Sequence, residues 1–158
     1  MIRVLQLNMQ RSKTADNLLY QLATERGADI LLLSEQYRDR QSPHWMADHS
    51  NTAAIWILDA GKIPSLASGA GSGFVWVRSR GMSFFSCYLT PNQPAADFRR
   101  MVDALEDEIR NVSGLVVVGG DFNARAVDWG MPTTNTRGRF HLSLPQIWRE
   151  NPGCLFRL

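Results

Sequence analysis

Apolar and polar positions alternate from Ile2 to Asn8, with Ile2, Val4 and Leu7 around Arg3, Gln6 and Asn8, which predicts a strand ending on a polar residue. The period then changes. Ala15, Leu18, Leu19, Leu22 and Ala23 recur at helical spacing, with Thr14 placed as N-cap and Gly27 as the stop, so an amphipathic helix of about three turns is expected. Ile30 to Leu33 is apolar throughout, as in strands covered on both faces, and it runs into Ser34-Glu35-Gln36. Residues 37 to 51 are polar and rich in breakers and read as a loop. Ala53 to Leu58, Phe74 to Val77 and Ser83 to Leu89 read as three strands, with Gly69-Ala70-Gly71-Ser72-Gly73 as a flexible connection.

Phe98, Met101, Val102, Leu105, Ile109 and Val112 line one face of a second predicted helix, with Asp97, Arg100, Asp103, Glu106 and Asp107 turned outward. Another apolar strand, Leu115 to Val118, opens into Gly119-Gly120-Asp121-Phe122-Asn123. From Phe140 to Leu158 no period is sustained, and no element is assigned. The order strand, helix, strands, helix, strand predicts mixed α/β layers.

With 158 residues, 44% hydrophobic and 20% charged, the chain can bury one core and has no room for a second full domain. A net charge of +2 argues by itself neither for nucleic acid nor for a membrane surface. No apolar run nears the roughly 18 residues of a membrane span, and the N-terminus does not read as a secretory leader, so an intracellular location is expected. Cys87 and Cys154 belong to no CxxC pair or Cys/His cluster and are expected to be reduced. Asn111-Val112-Ser113 fits the glycosylation pattern but, without a secretory signal, is expected to be unmodified.

Three polar groups fall where strands end: Asn8, Glu35 and the pair Asp121/Asn123. Ligands of α/β sheets gather at such strand mouths. Glu35 reads either as a hydrogen-bonded strand-end carboxylate or as a hard oxygen ligand for Mg²⁺, which favours one or two carboxylates. Asp121 and Asn123 flank Phe122, so in an extended segment both project to one side, a base beside an orienting amide. Gly119-Gly120 permits a tight turn or the close approach of a phosphate. The Gly69/Gly71/Gly73 stretch lacks the ending of a phosphate-binding loop and precedes a strand.

Gln6-Leu7-Asn8, Leu33-Ser34-Glu35-Gln36, Ser86-Cys87-Tyr88-Leu89-Thr90-Pro91 and Gly119-Gly120-Asp121-Phe122-Asn123, in that order, resemble the endonuclease/exonuclease/phosphatase superfamily. The resemblance is nearer to the apurinic-type endonuclease domain of non-LTR retrotransposons, in particular the insect group that inserts into ribosomal genes. Trp129-Gly130 and Thr134-Asn135-Thr136-Arg137-Gly138-Arg139 are similar to the stretch that follows the GDFN motif there. The resemblance implies a DNase I-like, four-layer α/β sandwich and a Mg²⁺-dependent phosphodiesterase that nicks DNA, with Mn²⁺ as a substitute and a nuclear location. It implies that Glu35 binds the metal, Asn8 helps to position metal and phosphate, Tyr88 contacts the phosphate, Asp121 activates the attacking water and Asn123 holds the phosphoryl oxygens. Arg11, Arg125 and Arg137 are the candidate nucleic-acid contacts.

The match departs from the pattern beyond Arg139. The family continues with a strand-end Asp and a Ser-Asp-His segment, and neither occurs in the 158 residues; His44, His49 and His141 lack the preceding Ser-Asp and are expected at the surface. The expectation is therefore a partial sandwich, roughly the first half to two-thirds of the fold. An incomplete domain would span residues 1–139, with a divergent tail over 140–158, open sheet edges and little or no activity. A non-catalytic nucleic-acid-binding or interaction fragment is the alternative. Arg11, Lys13, Arg38, Arg40, Arg78, Arg80, Arg125, Arg137 and Arg139 would then border the strand mouths, against the plainer reading of solvated charges. A phosphatase of the same superfamily is a further alternative. Of the five tryptophans, those in strand patterns are expected in the core, and Trp45 and Trp129 are the candidate surface contacts.

Overall fold

The computed structural model describes residues 1–123 and 154–157. In chain order the elements are β1 (Val4–Asn8), α1 (Lys13–Glu25), β2 (Ile30–Ser34), β3 (Trp45–Ala47), β4 (Ala53–Ile57), β5 (Ala67–Ala70), β6 (Phe74–Ser79), β7 (Met82–Tyr88), α2 (Ala95–Arg110), β8 (Leu115–Asp121) and β9 (Cys154–Arg157). They form two sheets, ordered β1-β2-β4-β3 and β5-β6-β7-β8-β9, with β1-β2, β7-β8 and β8-β9 parallel and the other pairs antiparallel.

The side-chain alternation of the strands assigns each residue to a layer. In β2, Ile30 and Leu32 join Ile55, Val75, Val77 and Phe84 between the sheets, while Leu31 and Leu33 face Leu19 and Ala23 of α1. In β7, Phe84 faces the other sheet, and Phe85 and Cys87 pack with Phe98, Val102, Leu105 and Ile109 of α2. The result is helix, sheet, sheet, helix: a DNase I-like sandwich in which each sheet carries its own helix. The expected layering holds, as a partial sandwich.

Several local expectations change. Ser12, not Thr14, caps α1, its hydroxyl accepting from the Ala15 amide at 3.2 Å. Ser12→Ala is expected to cost about 1 kcal/mol in a denaturant melt. Leu18 is exposed, and the buried face of α1 holds Asp16 instead. That carboxylate is tied to Arg38 at 2.9 Å and Arg40 at 2.8 Å, as a buried charge requires. The Arg40 guanidinium also lies 4.6 Å over the Trp56 ring. The segment read as one loop contains β3, and Trp45 is buried against Trp56 with its indole nitrogen donating to Asp39, so it is no surface contact. The glycine-rich stretch read as a flexible connection contributes β5 and the turn into β6. A strand, β9, extends the second sheet from within the segment that showed no period.

At the far end of the sandwich, buried Asp29 accepts from the Arg3 amide and from Lys62, both at 2.8 Å. Its hydrogen bond to Lys62 and that of the Arg3 amide hold its carboxyl below the usual range. A depressed carboxylate stabilises the fold above its unfolded pKa of about 3.9 and loses that contribution as pH falls through the folded value. Asp29→Asn is therefore expected to lower the thermal midpoint at pH 7, with the gap to the parent chain closing as the pH of the melt falls through the depressed folded-state value.

Candidate active site

Because β1 and β2 are parallel, as are β7 and β8, the ends carrying Asn8, Ser34, Tyr88 and Asp121 emerge on one side of the sandwich; Asn8 pairs in register with Ser34, and Tyr88 with Asp121. Two buried serines fix the sheets to each other there. The Ser34 hydroxyl donates to the Cys87 carbonyl at 3.0 Å and the Ser86 hydroxyl to the Leu33 carbonyl at 2.9 Å. Facing sheets usually stand about 10 Å apart, so hydroxyls that bond the opposite backbone mark a pinch. Gly119 serves the same approach, since a Cβ there would lie 2.9 Å from Leu32 Cδ1 and 3.2 Å from Gln6 Cγ. Glu35 and Tyr88, each one residue beyond this clamp, are brought together.

The contacts follow. Asn8 Nδ2 donates to Asp121 Oδ2 at 3.1 Å, joining the ends of β1 and β8 across the two sheets. Asn8 Oδ1 accepts from the Gln10 amide at 2.9 Å. The Tyr88 hydroxyl is hydrogen-bonded to Glu35. Burial, then that bond and the negative charges of Glu35 and Asp121, raise the phenol above its ordinary range, with nearby Arg11 pulling the other way. Tyr88 is therefore a neutral hydrogen-bond donor at pH 7, and both carboxylates act on its one hydroxyl.

The backbone is strained at this end. Among the described residues, the non-glycine positions with positive φ are Gln10, Arg11, Glu35, Asn51 and Asn123, at +48° to +54°. Gln10 and Arg11 follow Asn8, the Arg11 amide donates to the Glu35 carbonyl at 2.8 Å, and Asn51 accepts from the Arg11 side chain and from Gln36. Such conformations cost about 1 kcal/mol or more each and cluster where function requires a fixed geometry.

Asn8, Glu35, Tyr88 and Asp121 are thus brought together. Asn123 is beside them by a different route: at φ +48° it is not extended, so it does not simply alternate with Asp121. Its amide nitrogen on the main chain donates to Asp121 Oδ1 at 3.0 Å, and its side chain donates to the Leu89 carbonyl at 2.9 Å. Phe122 is buried behind, as its apolar character required. Gly119-Gly120 is neither a turn nor a phosphate cradle but part of β8. Arg11 lies at the mouth. Arg38 and Arg40 are committed to Asp16, and Arg78 and Arg80 sit at the opposite end, where Arg78 pairs with Ser83 at the start of β7. Arg125, Arg137, Arg139, Trp129, His141 and Trp148 lie outside the described residues. Asp48 and Asn51, which help to hold the site together, went unread in the sequence, and Ser34 and Ser86 were noted only as motif members; the Asp48-His49-Ser50-Asn51-Thr52 run is the turn signal that could have drawn attention to the first two.

The donor set suits Mg²⁺. Glu35 and Asp121 supply two carboxylates and Asn8 an amide oxygen, all hard ligands, and among the described residues no group of three or more His, Cys, Asp or Glu could hold a metal. Neither nitrogen nor sulfur enters the set.

The family model described as endonuclease-reverse transcriptase matches residues 82–146, which include β7, α2, β8 and the Gly119 to Asn123 motif. The fold is similar to the endonuclease domain of TRAS1, a telomere-specific non-LTR retrotransposon, with a TM-score of 0.69 and 27% identity over 95% of this chain and 70% of that one. The matched segment and the fold are similar to those of the endonuclease/exonuclease/phosphatase superfamily. At 13% identity, two further structures share the fold. They are an AP endonuclease from Archaeoglobus fulgidus, with a TM-score of 0.69 over 93% of this chain and 71% of that one, and the Neisseria 3′ phosphatase NExo bound to product DNA hairpin, with 0.65 over 98% and 77%. A search of curated proteins gave no match. Among the described residues no helix is long and apolar enough to cross a membrane.

Proposed function

We propose that the chain derives its site from a Mg²⁺-dependent phosphodiesterase of the retrotransposon endonuclease type, acting on DNA, and that in these 158 residues the site turns over slowly or not at all. The observation that carries the reading is the Asn8–Asp121 bond across the sheets, which sets a carboxylate and an amide from distant parts of the chain beside the Glu35–Tyr88 pair. In this reading Glu35 holds the metal with Asn8, and Mn²⁺ substitutes. Bound there, Mg²⁺ supplies positive charge against the charge that develops on the phosphate.

The residues divide the remaining work. Asp121, its oxygens oriented by Asn8 and by the Asn123 amide, takes the proton of the attacking water. When Glu35 turns to the metal, the single proton of the neutral Tyr88 hydroxyl, which Glu35 accepts in this structure, becomes free to be donated to a non-bridging phosphate oxygen. The Asn123 side chain uses one amide hydrogen on Leu89 and offers the second to the phosphoryl group. Arg11 adds charge at the mouth. Among the described residues none supplies the positioned imidazole that the family resemblance implies, and a site without that general acid or base is expected to be slower by about 10²–10⁴-fold. The non-catalytic DNA-binding alternative is weakened by the ion pairs of Arg38 and Arg40 and by the distant placement of Arg78 and Arg80.

The test is nicking of supercoiled plasmid at micromolar protein. With Mg²⁺ the chain is expected to be slower than the TRAS1 domain by about 10²-fold or more, with any residual nicking lost in EDTA and in Asp121→Ala. Nicking that survives EDTA or Asp121→Ala would overturn the assignment, and nicking as fast as the TRAS1 domain would overturn the proposed loss of rate.

A further inference from the structure

Asp48 takes no part in the chemistry above, yet its carboxylate is the most heavily bonded group at this end of the sandwich. It is 5% exposed and accepts from five donors. Oδ1 receives the amides of Thr52 at 2.6 Å and Ala53 at 2.9 Å. Oδ2 receives the Gly73 amide at 2.8 Å, the Ser50 amide at 3.1 Å and the Thr52 hydroxyl at 3.1 Å. A short Asx turn would need one or two of these. The bond to Gly73, 25 positions away, is not local and links the turn before β4 to the turn before β6.

Each turn in turn grips one member of the site. The Thr52 carbonyl accepts from the Glu35 amide at 2.7 Å, and the Gly73 carbonyl accepts from the Tyr88 amide at 2.7 Å. The same turn carries Asn51, which receives Gln36 Nε2 on its side chain at 3.0 Å and the Arg11 guanidinium on its carbonyl at 3.5 Å. Two short relays therefore leave one carboxylate: Oδ1 to Thr52 to Glu35, and Oδ2 to Gly73 to Tyr88. Glu35 and Tyr88 meet through their side chains at the other end of those relays. The loop closes on itself.

We infer that Asp48 is a positioning residue that sets the spacing of Glu35 and Tyr88, and with them the place of Arg11. It rests on the reading of those side chains as parts of the active site. An aspartate is suited to this because an ionised carboxylate is acceptor-only and can meet several donors at once. Asparagine, of equal size, would turn an NH₂ group toward at least two of the five donors. The left-handed backbone of Glu35 then loses one of the constraints that maintain it.

The test compares the parent chain with Asp48→Asn, and with Thr52→Val, which removes only the hydroxyl donor and serves if the first variant does not fold. In amide hydrogen exchange, the amides of Glu35, Gly73 and Tyr88 are expected to exchange faster by about tenfold or more in Asp48→Asn, while Leu31, Leu32, Phe84 and Phe85 keep their protection. The ¹³Cζ resonance of Tyr88, which reports its bond to Glu35, should shift in both variants, less in Thr52→Val. Any residual nicking should fall by about 10- to 100-fold in kcat with KM little changed. Asp59→Asn is the control: Asp59 likewise accepts the amides of Gly61 and Lys62, but at the opposite end of the sandwich, and should leave all three readouts at the site unmoved. Unchanged protection at Glu35 and Tyr88, or a uniform loss across the core, would overturn the inference. Exchange and the ring resonance need no turnover, so a parent chain that does not nick DNA refutes the catalytic reading while these readouts still decide the role of Asp48.

Discussion

Gly120→Ala is expected to prevent folding of the chain, a larger effect than any side-chain truncation in the core. Gly120 lies in β8 at φ +150°, a backbone conformation that side chains rarely adopt, and a Cβ there would run into the carbonyl oxygen, carbon and nitrogen of Cys87. Cys87 is the register partner of Gly120 in β7, and its carbonyl also accepts the Ser34 hydroxyl, so the obstructing atoms belong to a backbone fixed from both sides. Relief would require β8 to leave β7 at the level of the inter-sheet clamp. A loss above about 4 kcal/mol approaches the whole stability of a small domain. Gly119→Ala separates this from a general intolerance of side chains, because its Cβ meets side-chain atoms of Leu32 and Gln6 and no backbone, for a cost of about 1–3 kcal/mol. Circular dichroism and soluble yield should therefore show Gly119→Ala folded with a lowered midpoint and Gly120→Ala not folded. A folded Gly120→Ala with near-parent stability would mean that β7 and β8 are not paired as described.

The same two glycines mark the limit of what was legible in the sequence. Period-3.6 patterning located both helices, and alternation or short continuous apolar runs located β1, β2, β4, β6, β7 and β8, the continuous runs marking strands covered on both faces. It missed β3, three residues among polar neighbours, and β5, whose Ala-Ser-Gly-Ala carries almost no apolar signal and is held by its ladder to β6. It also placed Leu18 on the apolar face and passed over Asp16; the ion pairs that bury Asp16 come from residues 22 and 24 positions away, beyond any local pattern. Asn8, Glu35 and Asp121 could be picked out because strand-end polar groups are conspicuous after apolar runs. That they converge depends on two parallel pairs and a serine clamp between sheets, which composition does not encode. Asp48 and Asn51 were invisible for a related reason: a turn aspartate and asparagine look alike whether they serve one hydrogen bond or five.

Glu35→Gln is the substitution that separates a metal site from a merely hydrogen-bonded one. Glutamine keeps the length of the side chain and an oxygen able to accept the Tyr88 hydroxyl, so the strand end and its left-handed backbone should persist. It removes the negative charge, half of the two carboxylates that the donor set offers to a divalent cation. Substitutions one step further from a metal commonly reduce affinity by 10- to 100-fold, so loss of a carboxylate ligand is expected to reach or exceed about 100-fold. Titrating Mn²⁺ into ¹⁵N-labelled protein measures this directly, through paramagnetic broadening of the amides of Asn8, Glu35 and Asp121. In Glu35→Gln those amides should stay sharp at concentrations that broaden them in the parent chain. Tyr88→Phe, which takes away the hydroxyl and leaves both carboxylates, should broaden as the parent does. Equal broadening in Glu35→Gln and the parent would remove Glu35 from the metal and leave it as the partner that holds Tyr88.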